Sequence, residues 1–523
     1  MADLPKTTGM VYLVGAGPGH PGLITRLGYE LLQKCDAVAY DALIPMELIA
    51  ELPQKIERYY VGKRAGRHSL PQSQINELLV TLARRGLKVV RLKGGDPFIY
   101  GRSGEEAEYL SAAGIPVTII PGVTAASAAA ALSGFSLTNR QSSSWIFLAT
   151  GHGAESSIPV PWDRIGALPG GTIVVYMGLA KLDHVIHELL SSGLDPEIPA
   201  IAVQAASTGL QRCVEAPLIE ISSECRRQRL KPPALVIISD AVRSRAREIA
   251  AQTKPLTGKT VLLTSPSQRT AGVCALLREA GAEPIPYPAV AYSPVDDTEG
   301  WEGFLRVADQ SGICILSGEA TVDYFMDALL SHDLDLRSLS QFTIIAASQS
   351  VESALLSYGI KADHTLQRLS PDSLAKSISG LDPDTSRPLV LVRAKSVLGD
   401  GFGEDPLESN LKKQCSRMIS LRVCLESTAV WDAHWKDQLA ENPPDFILFT
   451  GKTEVDGFVQ LLGNEAARRL ALKSCVTAPD ESVAEALSKH GLRAKLKAYS
   501  PDIDSLVEAL IHYSQKPEAE SIP

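Results

Sequence analysis

Three glycine-bearing turns hold the residues whose types and spacing could do chemistry. The densest lies in VVRLKGGDPFIYGRSGEE. Two cations on a strand, Arg91 and Lys93, lead into Gly94 and Gly95. Asp96 and Pro97 then make a turn from which Arg102 projects, before a helix that starts at Ser103 with Glu105 and Glu106 in its first turn. An aspartate at a strand's C-terminal end can accept hydrogen bonds from a ribose or an ammonium group, although a capped turn with solvated charges has the same residues. The second turn, VYLVGAGPGHPG, places Gly15, Gly17 and Gly19 in the first strand-to-helix passage, where doubly wound sheets bind ligands. Its third glycine comes one residue early for GxGxxG, with Pro18 inside. This counts against a dinucleotide with Asp36 or Asp41 as ribose acceptor and leaves a purely structural turn as an alternative. In the third, IIPGVTAASAAAALSGFSLTNR, Pro121 and Gly122 turn the chain, and Thr124, Ala125, Ala126 and Ser127 leave room for a flat ligand or for close helix packing.

These turns need a scaffold. From residue 10 to 117, β-branched runs alternate with amphipathic stretches: MVYLVG, DAVAY, KVVRLKGG and PVTII among segments such as PQSQINELLVTLARRG. That alternation predicts a parallel α/β sheet. SWIFLAT, TIVVYM, PAIAVQ and ALVIIS make a second series, so two α/β lobes fill residues 1–242. The polar stretch 243–257 reads as a linker crossed by few contacts, such that cutting it leaves two folded proteins. Residues 258–523 hold an internal repeat: GICILSGEATVDYFMDALL resembles DFILFTGKTEVDGFVQLLG. Gly318 aligns with Gly451, Gly359 with Gly491 and Thr264 with Arg393, an offset of about 130 residues. Two similar α/β lobes joined by crossing strands would enclose a cleft.

Composition narrows the classes. With 51 Lys+Arg against 60 Asp+Glu the net charge is −9, which disfavours nucleic acid and anionic membrane surfaces as partners. An acidic ligand must therefore meet a local basic cluster. No apolar run approaches the roughly 20 residues of a membrane span, and the N-terminus lacks the pattern of a signal peptide, so the protein reads as soluble and cytoplasmic. The eight cysteines are scattered, with no CxxC, and read as buried reduced thiols. No metal-ligand spacing stands out.

The first half resembles the tetrapyrrole methylases, and within them uroporphyrinogen-III C-methyltransferase. VGAGPG, YDALI, VGKRAG, VVRLKGGDPFIYGR, GIPVTIIPGVTAASAAAA, LTNR, TGH, VVYMG and PALVIIS fall in family order. The resemblance implies S-adenosylmethionine (SAM) held between two α/β lobes, in a homodimer formed through this half. Its contacts fall on Pro18, Gly94, Gly95, Asp96, Ile99, Thr124, Ala125, Met177 and Ala206, and the proton acceptor and donor positions on Asp41 and Lys63. His20, Ser103, Asn139 and Ala206 depart from the family's Asp, Gly, His and Gly. Transfer of a methyl from a sulfonium needs mainly alignment, and attack by a pyrrole carbon then requires loss of a proton, which suits a carboxylate base such as Asp41. Arg64, Arg91, Lys93, Arg102 and Arg140, with Lys63 and Arg67, would supply positive lining for a polycarboxylate substrate, uroporphyrinogen III.

The second half resembles, more diffusely, uroporphyrinogen-III synthase: TVLLTSP, LLREAGAEPIPYPAV, ILSGEATVDYF, ILFTGKTEVDGF, SPDSLAKSI and SPDIDSLVEAL. The resemblance implies closure of hydroxymethylbilane with inversion of ring D. The substrate's carboxylates would meet backbone amides at Ser317, Gly318, Thr450 and Gly451 and serines at helix N-termini, Ser350 and Ser482. Ser265 stands where Arg is common and Cys424 where Tyr is often found. These departures keep open a second reading, a noncatalytic tetrapyrrole-binding module. The sequence thus predicts a two-lobed tetrapyrrole methylase fold followed by a two-lobed uroporphyrinogen-III synthase fold.

Overall fold

The computed structural model describes residues 8–53, 55–62, 70–151, 159–246, 254–366, 374, 387–398, 406–415, 417–431, 433–498 and 503–515. Four sheets organise them. The first contains β1 (Met10–Gly15), β2 (Ala37–Tyr40), β3 (Glu57–Tyr60), β4 (Lys88–Lys93) and β5 (Val117–Ile120), all parallel in the order β3-β2-β4-β1-β5. Its central strands are buried on both faces, which is why AVAY and VVRL read as continuous rather than alternating runs. The helix Gln72–Arg84 closes one face through Ile75, Leu79, Val80, Leu82 and Ala83.

The second sheet contains β6 (Trp145–Thr150), β7 (Gly171–Tyr176), β8 (Pro199–Gln204), β9 (Arg212–Pro217) and β10 (Ala234–Ile238), in the order β6-β7-β10-β8-β9. Here the structure departs from a parallel expectation: β10 runs antiparallel to β7 and β8, and β9 antiparallel to β8. The short connection between β8 and β9 allows only an antiparallel pair, since a parallel one needs a crossover of about a dozen residues or more.

The remaining strands are β11 (Thr260–Leu263), β12 (Glu283–Pro286), β13 (Val290–Pro294), β14 (Gly312–Leu316), β15 (Phe342–Ala346), β16 (His364–Thr365), β17 (Leu389–Ser396), β18 (Met418–Thr428), β19 (Phe446–Leu448), β20 (Cys475–Ala478) and β21 (Leu496–Lys497). They form two sheets, β12-β11-β19-β20-β21 and β13-β18-β17-β14-β15-β16. Without β13 the two orders correspond strand for strand: β12 to β18, β11 to β17, β19 to β14, β20 to β15 and β21 to β16. The repeat is therefore present but exchanged. The opening strands β11 and β12 join the closing strands β19 to β21, and the lobe between them is an insertion bounded by the antiparallel pair β13 and β18.

The two halves share an extensive contact. Met46 belongs to the core of the first sheet and also packs on the core around β11 and β19, and Trp435 does the reverse. The expectation that few contacts cross between the halves is not met. The middle of the expected linker, 247–253, lies outside the described residues.

Candidate functional site

At the C-terminal end of β1 and β4 the first two glycine turns are stitched together. Gly95 donates its amide to Gly17 O at 2.7 Å and Gly17 returns one to Gly95 O at 3.2 Å. The third turn packs on them backbone to backbone: a Cβ on Gly122 would lie 2.3 Å from Gly95 O and 2.8 Å from Gly15 Cα. Gly95 differs from its neighbours. With φ +69° it is left-handed, and a Cβ there would meet nothing closer than Ala125 N at 3.9 Å. It therefore presents bare backbone to open space beside the N-terminus of the helix Ala125–Leu132. Asp96 ties the turns, accepting from Phe98 N at 2.8 Å and Gly122 N at 2.9 Å, one bond to each oxygen.

The opposite wall comes from the second lobe. Tyr176 at the end of β7 reaches across to Thr124, with hydroxyls 2.6 Å apart, and accepts from Ala126 N at 3.2 Å, so it caps the helix that Thr124 leaves uncapped. Tyr100 lies on Tyr176 with centroids 4.9 Å apart and donates to Leu148 O. Ile99 and Ala125 pack on a core that includes Tyr176 and Ala206. The turn 205–209 abuts the first glycine turn: His20 N donates to Ser207 Oγ at 3.0 Å, and a Cβ on Gly19 would be 3.0 Å from Ala206 O. Tyr100, Arg102, Met177, Ala205 and Ser207 have positive φ without being glycine. Strained backbone held in place by its surroundings clusters at functional sites, and five such residues gather in these turns. Pro18, Gly94, Gly95, Asp96, Ile99, Thr124, Ala125, Met177 and Ala206 thus belong to turns of the two lobes that pack against one another.

Asp41 ends β2. Its side chain is 26% exposed, accepting from Leu43 N at 3.1 Å and from Arg91 Nη2 at 3.3 Å. Arg91 and Lys93 do not line a surface. Both are buried, and Glu106, fully buried, takes Lys93 Nζ at 2.8 Å and Arg91 Nε at 3.5 Å, with Gln72 donating at 3.0 Å. This corrects the expectation of direct substrate contact: two cations and two carboxylates form a neutral buried cluster that orients Asp41. Burial, with Arg91 beside it, holds the Lys93 ammonium below its ordinary range against the pull of Glu106. Arg102 is exposed and paired with Glu105 at 2.7 Å, and Arg140 is exposed in the turn bridged by Asn139 and Ser143. Lys63, Arg64 and Arg67 lie outside the described residues. His20 caps the next turn through Nδ1. Tyr176, Tyr100 and Glu106 are site residues the sequence did not signal by chemistry. Glu106 reads there as a solvated acid of a helix's first turn.

In the second half the turns after β14 and β19 occupy matching places in the two sheets, at C-terminal strand ends. Of the donors expected there, Ser317, Gly318, Thr450 and Ser482 are engaged within the chain. Ser317 N donates to Val392 O at 3.0 Å, and Gly318 N to Thr321 Oγ1 at 3.2 Å. Thr450 gives its amide to the buried Glu454 at 2.8 Å and its hydroxyl to the same carboxylate. Ser482 donates to Asp480, the residue that caps the helix Glu481–Lys489. Gly451 caps the helix Lys452–Leu462 and is half-buried. These groups shape the turns first, which corrects the picture of free donors. Ser265 and Cys424 are both buried, Cys424 within the core of the inserted lobe.

The fold and these turns define a two-lobed α/β protein with glycine turns gathered where the lobes meet, joined to a second two-lobed α/β body. Residues 10–222 match the family described as Tetrapyrrole (Corrin/Porphyrin) Methylases, and residues 273–508 match Uroporphyrinogen-III synthase HemD. The chain is 30% identical to the porphyrin biosynthesis protein HemD of Ruminiclostridium josui over 96% of this chain and 98% of that one. It is 44% identical over 46% of its length to a siroheme synthase of Azotobacter vinelandii, of which it spans about half, 52%. A uroporphyrin-III C-methyltransferase structure from Thermus thermophilus with S-adenosylhomocysteine is 38% identical, covering 45% of this chain and 94% of that one, with a TM-score of 0.39. The chain belongs to the family in which a tetrapyrrole methylase is fused to a uroporphyrinogen-III synthase.

Proposed function

We propose that the chain carries out two consecutive steps of tetrapyrrole biosynthesis. Residues 258–523 close hydroxymethylbilane to uroporphyrinogen III with inversion of ring D, and residues 1–242 methylate that product twice with SAM to precorrin-2, for siroheme, cobalamin or both. The intervening 243–257 connect them, the methylase half forms a homodimer, and the protein works in the cytoplasm. The observation that carries the methylase reading is Gly95: bare left-handed backbone facing open space, enclosed by turns from both lobes. Such a cradle suits a ligand that must lie against the main chain.

SAM, bound there, supplies an electrophilic methyl group. Gly94, Gly95, Thr124, Ala125 and Ala206 would hold it through backbone and small side chains, with Pro18, Asp96, Ile99 and Met177 around them. Asp41 takes the proton that the macrocycle releases once a pyrrole carbon has accepted the methyl. Its carboxylate is aimed by the Leu43 amide and Arg91, and that anchoring holds the base in one orientation. Lys63 would return a proton, and Arg64, Arg102 and Arg140 would meet substrate carboxylates. In the second half catalysis consists mainly of folding the linear substrate and excluding direct closure.

The test supplies the whole protein with uroporphyrinogen III and SAM, and separately with hydroxymethylbilane alone. Dimethylated product in the first and isomer III in the second support the reading. Isomer I alone in the second, with tetrapyrrole still bound, favours the noncatalytic binding module.

A further inference from the structure

One guanidinium of the synthase half is linked to both lobes of the methylase half, to the first directly and to the second through Glu283. Arg278, in the last turn of the helix Ser267–Glu279, is almost buried, its side chain 10% exposed. Its Nε donates to Glu47 at 3.0 and 3.1 Å. Glu47 is buried in the helix Met46–Ala50, which follows directly on the Asp41 turn of the first lobe. Nη1 and Nη2 each donate to Glu283 at 3.3 Å. Glu283 accepts in turn from Gly209 N at 2.7 Å, in the second-lobe turn that carries Ala206.

Backbone contacts fix this turn further. Gly209 O accepts from Gly258 N at 3.0 Å, and a Cβ on Gly209 would lie 2.5 Å from the carbonyl carbon of Ala282. Beside the first lobe, His434 stacks on Tyr60 at 3.8 Å and 14°. Gly62 lies close to both Tyr60 and the Asp41 turn, since a Cβ there would meet Tyr60 OH at 2.5 Å and Ala42 N at 2.9 Å.

We propose that Arg278 is a positioning residue for methylation: bridging Glu47 and Glu283, it sets the spacing of the two lobes that enclose SAM, so the synthase half completes the methylase half. The inference rests on the SAM site proposed above. A cleft whose walls are held at their bound separation spares the ligand the cost of ordering them. Each guanidinium nitrogen donates to one of the two carboxylates and the side chain is 10% exposed, so its effect on methylation passes through geometry.

The test uses the full chain, comparing wild type with Arg278→Met, Arg278→Lys and Glu283→Ala by calorimetric titration with SAM, by KM and kcat for methylation, and by isomer III formation. Arg278→Met is expected to raise the SAM Kd and KM about tenfold or more while leaving kcat at saturating SAM within about twofold. Lysine, which keeps the charge but loses the fork, should restore part of the affinity. Glu283→Ala spares the Glu47 pair and cuts only the arm to Gly209, so it should weaken SAM in the same direction by less. Isomer III formation should stay unchanged throughout. SAM affinity for Arg278→Met within twofold of wild type overturns the inference alone. Should that variant fail to melt cooperatively, unchanged affinity in Glu283→Ala overturns it instead. A wild-type protein that binds no SAM overturns the cofactor reading together with this one.

Discussion

Replacing Gly95 with valine separates a ligand-facing glycine from a structural one. The left-handed backbone at φ +69° costs a branched residue about 1–2 kcal/mol. Its Cβ meets no atom of the chain within 3.9 Å, so no steric penalty within the fold is added. The chain should fold, with a melting midpoint lower by a few degrees for the lobe concerned. The two methyls would then project into the space assigned to SAM. The Gly17 bridge pins the turn, so the ligand cannot be accommodated by a shift. Overpacking of a fitted site costs about 1–3 kcal/mol, which is about fivefold to 150-fold in Kd. Gly122→Ala is the control: its Cβ would lie 2.3 Å from Gly95 O, so the stitched turns must separate and cooperative folding of this half is lost. Calorimetric titration with SAM reads the first effect, and isomer III formation from hydroxymethylbilane, expected to stay intact, shows that the second half is unharmed. SAM affinity unchanged in Gly95→Val refutes the placement.

Asp41→Asn keeps the contact with Leu43 N but removes the base, so methylation should slow about tenfold or more with SAM affinity little changed; a full-rate variant assigns the proton to another group or to water. Glu106→Gln leaves Arg91 and Lys93 buried with one carboxylate fewer, at a cost of about 3–5 kcal/mol; denaturant unfolding followed in the first half checks this, and a loss below about 1 kcal/mol argues against a tightly coupled cluster. Seven of the eight cysteines are buried, and burial pushes Cys35, Cys314 and Cys424 up to about 12. A thiol reagent at pH 8 should therefore label the native chain at the partly exposed Cys213 alone and reach the others after denaturation. Rapid labelling of several native thiols contradicts the packing described.

Much of the scaffold is legible because parallel strands buried on both faces leave unbroken apolar runs, and MVYLVG, AVAY and TIVVY coincide with β1, β2 and β7. β3 escaped notice because an edge strand with Glu57 and Arg58 carries a weak apolar signal. The repeat shows itself through glycine spacing, whereas the exchange of strands depends on which edges meet in space, and pairs Val261 with Phe446, which no local pattern joins. The glycine turns are legible in the sequence, but the pairing of the charges beside them is not. Arg91 and Lys93 stand at a strand end, where cations commonly face ligands. Their neutralisation by Glu106 depends on a helix folding back over β4. Arg278 and Glu47 lie far apart in the chain, and only tertiary structure makes them partners.

Incubation of the whole protein with hydroxymethylbilane and SAM, followed by identification of the tetrapyrrole, tests the central claim most directly. The account predicts a doubly methylated ring of the type III isomer, formed without added synthase or methyltransferase. A product that is unmethylated and entirely isomer I, the outcome of spontaneous closure, contradicts it.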